Sequence, residues 1–204
     1  MTRFVRDAAL EPDRAAFYGI AGTIVDELSP QTEADPVALL IDLLASFGSA
    51  VGLRPYTRVD GTVHRARLYV VIAGASSRSR KGTSRSLIRS LMEVADATWA
   101  SDCERSGLST GEGLVEALGS SDDPRLLVVE PEFSRVLRVS GRESNTLSEV
   151  IRDLWDRDRA AVMTRGSRSK SMADTCQSSR TSPWRNYGSA LPISRPPTGS
   201  PTAS

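Results

Sequence analysis

Hydrophobic residues follow two kinds of pattern along this chain, helical spacing and short continuous runs. Helical spacing first extends over 14–28; it resumes at Asp35-Pro36 and continues through VALLIDLLASFGSAVG with apolar residues nearly all round, which predicts a buried helix. Asp13 and Asp35 stand where N-caps are expected, and Pro36 suits a first helical turn. The same spacing predicts four further helices, over 84–98, 111–118, 132–139 and 145–155.

Two continuous apolar runs, RLYVVIA at 67–73 and RLLVVE at 125–130, predict β-strands that are covered on both faces, as in a parallel sheet. Alternating residues on either side of Asp60-Gly61 predict a short hairpin. A weaker strand is expected near 105–108. Strands that alternate with helices favour an α/β fold, in which helices flank a parallel sheet.

A loop of small and basic residues, ASSRSRKGT, connects the strand predicted at 67–73 to the helix predicted at 84–98. Free N–H groups and the positive end of the helix dipole would both face an anion at this turn, and a lysine can add a full charge. The residues that we expect to bind a nucleotide share this turn, and they are Gly74, Arg80, Lys81, Gly82, Thr83 and Ser84.

The spacing of this loop differs from the standard P-loop pattern, G-x-x-x-x-G-K-[ST]. One residue too many separates Gly74 from Lys81, and Gly82 separates Lys81 from Thr83. The pattern is therefore also compatible with a Ser/Arg-rich surface loop between a strand and a helix.

Acidic residues follow the second apolar strand. Glu130 stands at its carboxyl end, where a P-loop enzyme holds a magnesium-bound water, and Glu132 is placed to orient an attacking water. The metal would also take the hydroxyl of Thr83. The alternative is that both acids simply begin the next helix, where a negative charge is favourable. Glu112 has the same two interpretations, a first-turn helix residue or a group that faces the nucleotide.

The composition of the chain excludes some kinds of function. The chain has 204 residues, enough for one domain, and a formal net charge of +1, so any attraction to nucleic acid must be local. Cys103 and Cys176 are far apart, and His64 is the single histidine, which argues against a zinc hydrolase. The N-terminal segment has no apolar core of signal-peptide length, no apolar run reaches the length of a membrane span, and a cytoplasmic location is the expectation.

Several blocks of the sequence together resemble a known family. These blocks lie in order between Phe17 and Asp156, and they are FYGIAGTIVDELSPQTEADPVALLIDLLASFG, RKGTS, GLSTGEGL and RLLVVEPEFSRVLRVSGRESNTLSEVIRDLWD. They resemble P-loop proteins of actinobacteria and mobile elements, a family catalogued as a domain of unknown function with primase-associated or replicative-helicase-like ATPases among its apparent relatives. The resemblance implies a RecA-like core, RKGTS as the phosphate loop, LLVVE as the Walker-B-type strand, ATP and Mg²⁺ as cofactors, and DNA or a replication protein as partner.

The resemblance stops after Trp155. The tail at 158–204 is rich in Ser, Arg and Pro, contains no Glu and shows neither helical nor strand periodicity, so we expect it to be disordered. The expected organisation is a flexible N-terminus at 1–12, an incomplete P-loop core at 13–157 with N-terminal helices and a hairpin, and this tail. The change of composition suggests a truncated or frameshifted gene, and hence nucleotide binding with slow turnover or none.

Two other functions remain open from the sequence. A non-enzymatic nucleic-acid-binding module would use the local basic cluster, which consists of Arg78, Arg80, Lys81, Arg85 and Arg89; its binding should weaken steeply as salt rises. An inactive remnant of a mobile-element gene would have no activity of its own.

Overall fold

The computed structural model describes residues 12–73, 81–120, 123 and 125–157. The predictions made for 158–204 and for all of 1–12 except Pro12 lie outside these ranges, as do Gly74 and Arg80. Within them the fold mixes helices with two small sheets. Its elements in chain order are α1 (Gly19–Leu28), α2 (Pro36–Val51), β1 (Tyr56–Val59), β2 (Thr62–Arg65), α3 (Lys81–Ala95), α4 (Ala97–Asp102), β3 (Glu104–Arg105), α5 (Gly111–Gly119), β4 (Leu127–Val128), α6 (Phe133–Ser140) and α7 (Leu147–Arg157).

The helix predicted at 14–28 is divided in two. Asp13 caps a short 3-10 helix at Arg14–Ala16 by accepting the N–H of Ala15. The α-helix then begins at Gly19, whose φ of +61° breaks the helical path. The helix predicted at 84–98 is likewise divided, because Asp96 ends α3 and caps α4 by accepting the N–H of Trp99 at 2.9 Å.

Local signals located α2 and the hairpin correctly. Asp35 caps α2 through the N–H of Val37, and Pro36 occupies its first turn. Strands β1 and β2 pair antiparallel around the turn at Asp60 and Gly61. Both turn residues have positive φ, +48° and +84°, which is the geometry that an Asp-Gly turn favours.

The prediction of a strand at 67–73 is wrong. Residues 67–73 have no regular secondary structure, and Leu68, Tyr69, Val70 and Val71 are each at least two-fifths exposed. A strand forms only where a neighbouring strand satisfies its peptide groups, and the described residues place no strand beside this segment. The apolar run identified a segment suited to burial, but the pairing on which a strand depends is not made there.

The other predicted strands are present but short. β4 covers only Leu127–Val128 of the predicted 125–130, and it pairs parallel with β3, which lies at the start of the weak strand expected near 105–108. Helix α5 lies between them in sequence, so β3, α5 and β4 form a small βαβ unit. A parallel pair is therefore confirmed, whereas an extended RecA-like sheet is not.

Two hydrophobic clusters meet at β4. One contains α1 to α4 with Leu39, Ile88 and Trp99 at its centre, and Leu127 packs against it. The other contains α5, α6 and α7 around Leu147, and Val128 packs against that one. Because successive side chains of a strand point to opposite faces, β4 connects the two clusters.

Candidate functional site

The start of α3 is the first part of the candidate site. This helix begins at Lys81, three residues before the predicted start at Ser84, so the last three residues of the predicted loop, Lys81, Gly82 and Thr83, lie in its first turn. Gly82 and Thr83 in its first turn are exposed, and a Cβ placed on Gly82 would have no atom within 4 Å. The first N–H groups of an α-helix have no partner within the helix. An anion could therefore approach this turn without displacing a side chain of the described residues.

Ser84 faces the interior instead. It is fully buried, and its hydroxyl donates a hydrogen bond to Oδ2 of Asp42 on α2 at 2.7 Å. The next residue, Arg85, donates to Ser46 Oγ at 2.7 Å and forms a 2.5 Å ion pair with Glu104 on β3. These contacts fix the first turns of α3 against α2 and β3. The hydroxyl of Ser84 thus belongs to the packing of the helix start.

Sequence reasoning missed this polar network, which consists of Asp42, Ser46, Ser84, Arg85 and Glu104. One signal was visible: Asp42 is the only charged residue within the apolar run VALLIDLLASFG, and a buried charge needs a partner. Burial raises the pKa of Asp42, while the Ser84 hydrogen bond and Arg85 lower it and Glu104 raises it further. Its partners lie about forty residues away along the chain, so the sequence pattern could not identify them.

Glu130 follows β4 and is nearly buried, with its side chain 8% exposed. One carboxylate oxygen accepts the N–H of Leu108 at 2.5 Å, and the other lies 3.9 Å from a guanidinium nitrogen of Arg135 on α6. The hydrogen bond from the Leu108 N–H to the Glu130 carboxylate connects the segment after β3 to the segment after β4. Glu130 is therefore held at the carboxyl ends of the two parallel strands, which is the edge where α/β proteins place their ligands.

The other two acids have helix-start positions. Glu132 is the exposed N-cap residue of α6, and its side chain makes no capping hydrogen bond. Glu112 lies in the first turn of α5, whose N-cap Thr110 accepts the N–H of Gly113. Glu112 also accepts a hydrogen bond from the hydroxyl of Thr146 at 3.1 Å. The helix-start role of Glu112 is visible in the structure, and it also connects α5 to α7.

A cavity of about 490 Å³ lies between β4 and the segment that leads to the loop. Val71, three residues before Gly74, lines it, and so does Glu130. The segment that leads to the candidate phosphate loop and the candidate metal-binding acid thus line the same cavity. The rest of its wall is mainly apolar, from α2, α5 and α7.

The basic cluster is partly neutralised. Arg85 is paired with Glu104, and Arg89 forms an exposed pair with Glu93 at 3.0 Å. The side chains of Arg78, Arg80 and Lys81 lie outside the described residues. Among the five cations proposed from the sequence, only the side chains of Arg85 and Arg89 are described by the structure. Each of these two is paired with a carboxylate.

His64 is paired opposite Thr57 in the exposed hairpin. Over the part of the chain that the structure describes, no three His, Cys, Asp or Glu side chains converge as a metal site. No helix among the described residues is both long and apolar enough to cross a bilayer. The chain matches no protein-family model, no curated protein and no solved structure. A function is therefore inferred from the geometry of the described residues and from the sequence pattern.

Proposed function

We propose that this chain is a nucleotide-binding domain of the P-loop type, which takes ATP with Mg²⁺ at the turn into α3 and has weak or no turnover. The class is that of primase- or helicase-associated ATPases, with DNA or a replication protein as partner. The observation that carries the proposal is the start of α3 at Lys81, within the small and basic segment 75–83. The positive end of the helix dipole and the N–H groups of the first turn attract an anion.

The exposed first turn supports this assignment. Gly82 leaves room for close approach of a phosphate, and Thr83 is exposed and could offer its hydroxyl to the magnesium ion. Lys81 supplies the positive charge expected beside the β- and γ-phosphates. Ser84 acts indirectly in this assignment, since its bond to Asp42 fixes the orientation of the turn.

Glu130 and Glu132 differ in how strongly their positions support a role beside the magnesium ion. Glu130 has a fixed orientation because one of its oxygens accepts the N–H of Leu108, and it lines the cavity beside the segment before the loop. Through a water molecule it would hold Mg²⁺. Glu132 is exposed two residues further on and would orient the attacking water. The cation would take its remaining ligands from phosphate oxygens and water, as Mg²⁺ does at most nucleotide sites.

The test is an equilibrium titration of the full chain with a fluorescent ATP analogue in the presence of Mg²⁺. The chain carries a matched control, because its other lysine, Lys170, lies far from the loop in sequence. Lys81→Ala should weaken binding by about tenfold or more, since a hydrogen bond to a charged group is lost. Lys170→Ala should leave the dissociation constant unchanged. Equal affinities in the two variants, or no binding by the unaltered chain, would refute the proposal.

The same titration distinguishes the P-loop assignment from the alternative of a nucleic-acid-binding module. The ion pairs of Arg85 and Arg89 reduce the charge that the basic cluster can offer to phosphates. Binding of single-stranded DNA that disappears as salt rises, without any binding of ATP, would favour that alternative. ATP binding that persists at high salt would favour the P-loop assignment.

A further inference from the structure

The hairpin of β1 and β2 lies outside both hydrophobic clusters. No residue of either strand belongs to a cluster or packs against one, and all four residues of β1 are exposed. The two strands are held together by their own ladder, from the Tyr56–Arg65 pair to the Val59–Thr62 pair. A two-stranded hairpin without a packed face is only marginally stable in water. Most side chains of this hairpin therefore face solvent, where a partner can contact them.

The two faces of the hairpin differ in chemistry. Side chains that are directly opposite each other on paired strands, or two apart along one strand, lie on the same face. The pairing of Tyr56 with Arg65, and of Arg58 with Val63, therefore places the tyrosine ring and both guanidinium groups on one face. The opposite face carries no arginine, and it consists of Thr57, Val59, Thr62 and His64.

Arg58 and Arg65 both lie close to the ring of Tyr56. Their Cζ atoms are 6.0 and 5.8 Å from its centroid, which is within the range of a cation–π interaction. Tyr56 is nevertheless 57% exposed. A cation–π contact uses none of the five N–H donors of a guanidinium group, so the exposed Arg58 can still donate to an anion. The hairpin thus presents an open aromatic surface that is bordered by oriented cations.

The charge of this part of the chain is positive. Residues 54–67 contain four arginines and one aspartate, a net charge of +3 in a chain whose formal net charge is +1. The aspartate, Asp60, belongs to the turn, four residues from Tyr56 and hence about 13 Å away along an extended strand. Its carboxylate is therefore distant from the aromatic surface. No described carboxylate is paired with Arg58, in contrast to Arg85 and Arg89. Charge complementarity favours a polyanion as the partner.

An aromatic surface bordered by arginines suits single-stranded nucleic acid. A base can stack on the ring while the guanidinium groups bind the adjacent phosphates. The bases of a duplex are already stacked on one another, and a side chain reaches them only if the duplex is unstacked. We propose that the face formed by Tyr56, Arg58 and Arg65 binds single-stranded DNA, with one base on the Tyr56 ring. The choice of DNA over RNA rests on the proposed function, in which DNA is a partner, whereas the binding itself needs no nucleotide at α3.

Fluorescence anisotropy of labelled oligo(dT), measured with the full chain and without ATP, tests the proposal. Tyr56→Ala should weaken binding about tenfold, as expected for the loss of one base-stacking contact. Tyr56→Phe keeps the ring and should keep the affinity. Arg58→Ala should reduce the slope of log affinity against log salt by about 0.7, since one phosphate contact is lost. Tyr18→Ala, at a tyrosine that is 87% exposed, and Arg138→Ala, at an exposed residue of α6, are the matched controls and should change neither quantity.

A second measurement covers the case in which Tyr56→Ala disrupts the hairpin. Tyr56→Trp keeps an aromatic ring at the proposed site, and a base that stacks on it should quench its fluorescence as oligo(dT) is added. Tyr18→Trp should show no such quenching. The signal of the native tryptophans, recorded with the unaltered chain, is subtracted from both.

Four results would overturn the proposal: no binding of oligo(dT) by the unaltered chain, equal affinities of Tyr56→Ala and Tyr18→Ala, tighter binding of a duplex, or tighter binding of oligo(rU). A preference for duplex would indicate that the hairpin enters the major groove, which admits a two-stranded ribbon. Loss of affinity in Arg89→Ala but not in Arg58→Ala would also overturn it, because the DNA would then bind the basic cluster. Since the assay contains no ATP, its outcome is independent of the ATP titration.

Discussion

Arg85 shows how much one side chain can contribute to the start of α3. Its side chain is 15% exposed, it is paired with Glu104 at 2.5 Å, and it donates to Ser46. Its Nε atom is buried and has no hydrogen-bond partner among the described residues. Removing one member of a buried pair leaves the other charge uncompensated, so we expect Arg85→Ala to lower the free energy of unfolding by about 3 kcal/mol.

The same helix provides the control for this prediction. Arg89 is 49% exposed and paired with Glu93 one turn along, and Arg89→Ala should cost about 0.5 kcal/mol or less. Urea denaturation of the two variants, followed by circular dichroism, measures both values. If the two substitutions cost the same, the Arg85–Glu104 pair does not hold α3 in place.

Asp42 gives a prediction for pH dependence. Burial raises its pKa, and the hydrogen bond from Ser84 and the charge of Arg85 offset this only in part. The folded chain thus binds this proton more tightly than the unfolded chain does. The stability that results is present below the ordinary pKa of 3.8 and is lost as the pH rises through the folded-state value.

Asp42→Asn should therefore gain stability relative to the unaltered chain as the pH rises from about 3 to neutrality, because the amide carries no charge to desolvate. Chemical denaturation at several pH values measures the difference. Asp26→Asn, an exposed change on α1, should stay within about 0.5 kcal/mol of the unaltered chain throughout. A stability difference for Asp42→Asn that falls as the pH rises would contradict the assigned direction.

At the scale of elements, the sequence predicted what local chemistry decides. The caps at Asp13 and Asp35 and the Asp60-Gly61 turn depend on neighbours within a few residues, and all are present. The segment at 67–73 depends on a neighbouring strand, and the bond between Ser84 and Asp42 joins residues that are 42 positions apart. Neither could be read from periodicity. For the candidate site, the sequence placed the start of α3 three residues too late, at Ser84, and gave no sign of the polar network that fixes this helix.

Gly48 tests how α2 positions the segment before the loop. A Cβ on Gly48 would overlap the backbone carbonyl of Ala66, one residue before that segment. We expect Gly48→Ala to lower the free energy of unfolding by about 2 kcal/mol, because backbone must move to admit the methyl group.

Gly82→Ala is the matched substitution, since a Cβ there meets no atom within 4 Å. It should leave stability unchanged or raise it by about 0.5 kcal/mol, because alanine favours the helix. Urea midpoints of both variants give the comparison. Equal and small effects would mean that Ala66 can move away from α2 at little cost.

At the scale of the molecule, β4 determines whether the chain unfolds as one unit. Leu127 packs on the cluster that contains Trp99, and Val128 packs on the cluster formed by α5, α6 and α7. Trp155 on α7 reports on the second half, and its ring lies 5.0 Å from that of Tyr69. A strand shared by two clusters couples them, so we expect a single cooperative transition.

The measurement uses two variants on a Trp184→Phe background, one that keeps only Trp99 and one that keeps only Trp155. In each variant the fluorescence midpoint in urea should coincide with the circular dichroism midpoint of the same variant. Val128→Ala removes apolar contacts of the shared strand. It should lower both midpoints together, because β4 packs against both clusters and the two unfold in one transition. A fluorescence midpoint that differs from the circular dichroism midpoint of the same variant would instead show that the cluster of α1 to α4 and the cluster of α5 to α7 unfold independently. In that case a nucleotide bound at α3 would stabilise only the signal of Trp99, since a ligand stabilises only the unit whose folded state binds it.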